Sequence, residues 1–71
     1  MTEATALAAA AASPDPGEGL RAVAALRRLL ERLEAVQVRT ARNRGWSWQA
    51  IADSLGVSRQ AVHKKHGGKG R

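Results

Sequence analysis

The sequence predicts an all-α chain: one long amphipathic helix followed by two short helices around a tight turn, preceded by a disordered N-terminal tail and carrying no wing. Three observations lead there. Leucines and valines recur at helical separations from Val23 to Val36, Ser47 and Ser58 stand where short helices would start, and Gly45 and Gly56 stand where helices would stop. At 71 residues, with 44% apolar residues and no cysteine, the chain fits one small domain. A chain this short buries only about 60% of the surface its unfolded form exposes, so packing against a partner is expected to help it fold.

Residues 1–17 begin with an alanine run and end with Pro14 and Pro16 bracketing Asp15. Alanine favours helix, so Thr5 to Ala12 can be transiently helical, yet a segment below about 12 residues is marginal in water without packing. A flexible tail is the expectation. The uncharged stretch from Ala4 to Ser13 follows Glu3 rather than a basic residue and, at ten residues, is too short to span a bilayer, so neither signal peptide nor membrane anchor is expected. The lack of cysteine gives no reason for an oxidising compartment, and a cytoplasmic location follows.

From Glu18 to about Arg42, within a segment 18–44, there is no proline and no glycine after Gly19. Val23, Leu26, Leu29, Leu30, Leu33 and Val36 cover an arc of about 140° at 100° per residue, wider than a coiled-coil seam. One helix could thus serve two contacts: part of the arc on a second copy, making these six residues the candidate dimer interface, and part on the chain's own C-terminal half. Leu26 with Leu33 and Leu29 with Val36 are heptad pairs.

Gly45 closes the long helix. Ser47 then caps a helix over 48–55 with Trp48, Ile51, Ala52 and Leu55 at helical spacing, Gly56 ends it, and Ser58 caps a third helix from Arg59 to about His66. Ile51, Leu55, Val57 and Val62 are expected to form the wedge between the two short helices, with Ala61 and Val62 facing inward. Trp48 reads mainly as core, Trp46 as evenly poised between core and surface. Residues 67–71 form a flexible basic tail.

Charge is distributed unevenly along these elements. Up to Val38 four arginines face five acids, whereas from Arg39 onward eight basic residues face Asp53 alone, so the net charge of +6 resides in the C-terminal half. A polyanion-binding surface needs such concentration, because each neutralised phosphate releases condensed counterions. Double-stranded DNA is the expected partner.

The two short helices around Gly56-Val57-Ser58 make a helix-turn-helix in residues 45–66, with Ala52 small at the crossing. The string GWSWQAIADSLGVSRQAVHKK, Gly45 to Lys65, resembles the helix-turn-helix of bacterial transcription regulators and site-specific recombinases. One position departs from that pattern: Lys65 stands where the family usually has a buried aliphatic residue, which leaves the inward face of the last turn open. The resemblance implies that the second helix of the motif enters the major groove, with Ser58, Arg59, Gln60, His63 and Lys64 as the groove-facing set. Arg59 has the donors for guanine O6 and N7, and Gln60 can pair with adenine N6 and N7. Phosphate contacts are expected from Arg42, Arg44, Ser47, Trp48, Gln49, Lys65, Lys69 and Arg71, the middle three at a helix N-terminus whose free N–H groups favour an anion.

Catalysis is not expected, since Asp53 is the only acid after Glu34 and cysteine and tyrosine are absent. His63 and His66 stand three apart with no third ligand near, so neither metal nor cofactor is expected, nor a small-molecule ligand. The chain is also similar to small actinobacterial nucleoid-associated proteins of the GATC-binding kind, which implies a homodimer on many short palindromic sites. The alternatives are a dedicated repressor and an antitoxin or sigma-type adaptor whose main partner is a protein.

Overall fold

The computed structural model describes residues 2–67, and among them the chain forms four α-helices and no strand: α1 (Glu3–Ala11), α2 (Pro16–Asn43), α3 (Trp48–Leu55) and α4 (Arg59–His66). Two compact units result, one up to Leu33 and one from Glu34 onward.

In the N-terminal unit, residues read from sequence as a flexible tail include a regular helix. Thr2 caps α1 by accepting the backbone N–H of Thr5 at 3.1 Å, and Glu3 pairs loosely with Arg32 at 4.0 Å. No residue of α1 is buried. The long helix starts two residues before the Glu18 expected from sequence, because Pro16 occupies its first position, where a missing N–H costs nothing. Asp15 precedes it and accepts the Glu18 N–H at 2.9 Å, while the Glu18 carboxylate accepts the Ser13 hydroxyl at 2.8 Å. Gly19 and Ala22 are buried, and a Cβ on Gly19 would sit 3.4 Å from the Ala11 carbonyl oxygen, so the turn between α1 and α2 closes on small residues.

The C-terminal unit is built around Val38 of α2, Ile51 and Ala52 of α3 and Val62 of α4, with Ala41 and Trp48 packed against them. Two glycine-closed helix ends set its geometry. Gly45 has φ +87° and Gly56 φ +75°, and in each case the following residue reaches back five positions: Trp46 N–H to Ala41 O at 3.0 Å, and Val57 N–H to Ala52 O at 3.1 Å. Left-handed glycine with that bond is the usual way to satisfy the last carbonyls of a helix. Ser47 and Ser58 then accept the N–H groups of Ala50 and Ala61, each at 3.0 Å, and restart the chain as α3 and α4.

Part of the expected wedge is corrected. Ile51 and Val62 are buried, but Leu55 and Val57 remain 41% and 46% exposed, and Ala61 is exposed. The inward position contributed by α2 is Val38, which lies roughly 160° around the helix from Val36. The apolar arc read from the sequence is therefore largely unburied: Leu26 and Leu29 are half-buried, whereas Val23, Leu30, Leu33 and Val36 are exposed.

Candidate nucleic-acid interface

The outer face of α4 follows from its cap and its one apolar anchor. Val62 turns inward, only 2% exposed, so Arg59, Gln60, His63 and Lys64 fall on the exposed side. Arg59 and Gln60 have no intramolecular hydrogen-bond partner among the described residues, which leaves a guanidinium and an amide available at the helix start. Ser58 is committed differently from the expectation of groove contact, since its hydroxyl oxygen accepts the Ala61 N–H.

His63 stands edge-on to the ring of Trp48, with centroids 5.2 Å apart at 89°. Trp48 in turn carries the Arg42 guanidinium over its face, 4.6 Å from the ring centre. Arg42 also donates from Nη1 to the Trp46 carbonyl at 2.7 Å. A planar, weakly hydrated cation stacked on indole and fixed by a backbone bond is held in place before any ligand arrives. Arg42, Trp48 and His63 thus form one continuous stack from α2 to α4.

The other expected phosphate contacts are placed as follows. Arg44 is exposed; Ser47 is the cap of α3; Gln49 is exposed but donates to Asp53 Oδ1 at 2.9 Å. Lys69 and Arg71 lie outside the described residues. Lys65, expected as a phosphate contact, lies 3.4 Å from Glu34 Oε2.

Glu34 is the residue that the sequence reading missed. Its Oε2 also lies 2.7 Å from His66 Nε2, so a carboxylate on α2 holds two consecutive basic residues in the last turn of α4. The hydrogen bond from His66 above all, with Lys65 adding to it and partial burial opposing, keeps the Glu34 carboxyl below its ordinary value. A 32-residue separation leaves no periodic signal for this contact; the hint available was that residue 66 follows the buried Val62 by four positions. The open question of the last turn is thereby answered, with His66 half-buried in place of an aliphatic and Lys65 turned to the acid.

The family model of the homeodomain-like domain matches residues 26–66, more than half of the chain. The chain belongs to this family. Its homeodomain-like domain is a DNA-binding helix-turn-helix made of the C-terminal part of α2 with α3 and α4. No curated protein and no solved structure matches the chain. No described helix is long and apolar enough to cross a membrane.

Proposed function

We propose that this homeodomain-like domain reads double-stranded DNA through the major groove as a homodimer, acting in the cytoplasm as a nucleoid-associated protein that occupies many short palindromic sites and influences transcription. The observation that carries the reading is the exposed start of α4, where Arg59 and Gln60 project from a serine-capped helix anchored by Val62. Both are side chains suited to bidentate contact with a base edge. Arg42 and Arg44 at the end of α2 and the N-terminus of α3 supply phosphate contacts that position the helix without specifying sequence.

A single motif makes few contacts, and two copies on a symmetric site would place their recognition helices about 34–36 Å apart. Support for pairing comes from Leu30, Leu33 and Val36, three aliphatic side chains of α2 that are 49–61% exposed. The likeness to GATC-binding nucleoid-associated proteins supports the site preference and the actinobacterial setting.

A second reading has its own observation. An apolar groove of about 220 Å³ between α2 and α3, lined by Val38, Ala41, Trp46, Ile51 and Leu55, is of the kind that receives a protein segment, as an adaptor would require. Chromatin immunoprecipitation with sequencing of the tagged protein in its host separates the readings. Thousands of peaks sharing one short palindrome are expected. A handful of promoter peaks would make the protein a local repressor, and no enrichment would favour the adaptor.

A further inference from the structure

Arg39 and Arg42 stand three apart on α2 and therefore share one face of the helix. Neither forms an ion pair among the described residues, and the positions that could relieve their repulsion from the same helix, such as residues 35 and 38, are Ala35 and Val38. Arg39 and Arg42 line a cleft of about 390 Å³ together with Ala35 and Val38 of α2, Trp48 of α3, His66 of α4 and Gly67, and no acidic residue lines it. Glu34, the acid that holds the lining residue His66, is taken up by His66 and Lys65.

The cleft is built as well as charged. Arg42 is fixed at one side by its bond to the Trp46 carbonyl and its stacking on Trp48, and His66 is fixed at the other by Glu34. Through Trp48 the cleft adjoins His63, on the face of α4 that carries Arg59 and Gln60. Two like charges on one face, with no acid to balance them and one of them immobilised, make a site for a tetrahedral oxyanion, which guanidinium donors can grip in pairs.

We infer that this cleft seats one backbone phosphate of DNA flanking the major groove, and that Arg39 is the residue that closes on it. The inference rests on the DNA-binding reading and extends it to Arg39, which is not among the phosphate contacts expected from the sequence. A phosphate held there fixes the end of α4 opposite to Arg59, so the recognition helix is positioned at both ends.

The test is fluorescence anisotropy of the full chain on a labelled duplex across a salt series, for the wild type, Arg39→Ala, Arg39→Lys and, as a charge control in the N-terminal unit, Arg21→Ala. Arg39→Ala is expected to weaken binding equally on all sequences and to reduce the slope of log K against log salt by about 0.9, the loss of one phosphate contact. Arg39→Lys should retain the slope, and Arg21→Ala should leave it unchanged. If Arg39→Ala behaves like Arg21→Ala while the wild type binds, the seat is not used by DNA and the inference alone fails. If the wild type binds no duplex at low salt, the DNA-binding reading fails with it. Titration with inorganic pyrophosphate, followed by tryptophan fluorescence, covers the remaining source of the same chemistry. Saturable binding that depends on Arg39, combined with an unchanged DNA slope, would assign the cleft to a free anion and overturn the proposal.

Discussion

His66 Nε2 lies 2.7 Å from Glu34 Oε2, tying the last turn of α4 to a residue 32 positions earlier in the chain. Because a carboxylate can only accept, the proton of this bond resides on Nε2. The Glu34 carboxyl is held below its ordinary value of 4.5, which means that the folded state favours its charged form. A depressed folded-state value contributes stability that is fully present above the unfolded value and disappears as pH falls through the lowered one. Thermal unfolding followed by circular dichroism should therefore show Glu34→Gln less stable than wild type at neutral pH, with the gap closing below about pH 4.5. A gap that is constant with pH would mean that the carboxylate charge does not matter to the docking of α4.

The turn between α3 and α4 offers a second measurement. A Cβ built on Gly56 would meet nothing within 4 Å, yet its φ of +75° is a conformation that side chains resist. Gly56→Ala should therefore cost about 1–2 kcal/mol from backbone strain alone, and Ser58→Ala about 1 kcal/mol from loss of the α4 cap. Urea titrations report both. An unaffected Gly56→Ala variant would imply that the turn can relax to an alternative geometry.

The positions of α3 and α4 were legible in the sequence because their determinants are local: a serine cap, an apolar residue every three or four positions, and a glycine at the end. The start of α2 was legible only in part, since Pro16 reads equally as a break in a tail and as the first residue of a helix. What the sequence concealed is pairing across the fold. Leu55 and Val57 carry the pattern of core residues, but the core is closed by Val38, a residue off the main apolar stripe, and the two remain at the surface. Glu34 looked like one more charge on a solvated helix. Only the arrival of α4 against it gives it two partners. The stack of Arg42, Trp48 and His63 was hidden for the same reason, since each residue had a satisfactory reading by itself.

The exposed leucines of α2 bear on assembly. Leu30 and Leu33 are 61% and 49% exposed, and fully burying a leucine is worth about 1.5–3 kcal/mol. Replacing both with aspartate puts charge on that face without touching the buried set of Val38, Ile51, Ala52 and Val62. Sedimentation equilibrium should show the wild type as a dimer and Leu30→Asp/Leu33→Asp as a monomer with an unchanged helical spectrum. A double variant that still sediments as a dimer would move the interface elsewhere, with the groove at Trp46 and Leu55 next in order.

Base reading and phosphate holding predict different signatures, and substitutions at the two kinds of position compare them. Arg59 is exposed at the first position of the helix and unengaged within the described residues, so its guanidinium is available to a guanine edge. Arg59→Ala should lose about 1–3 kcal/mol of discrimination at one base pair, and Gln60→Ala a similar amount at a neighbouring one. Arg44→Ala, at an exposed residue expected to hold a phosphate, should weaken all sites nearly alike. Selection from a randomised duplex pool reads these differences directly. Loss of preference at one position for Arg59→Ala, beside an unchanged motif for Arg44→Ala, would assign readout to the start of α4; an unchanged motif for both would remove Arg59 from that role.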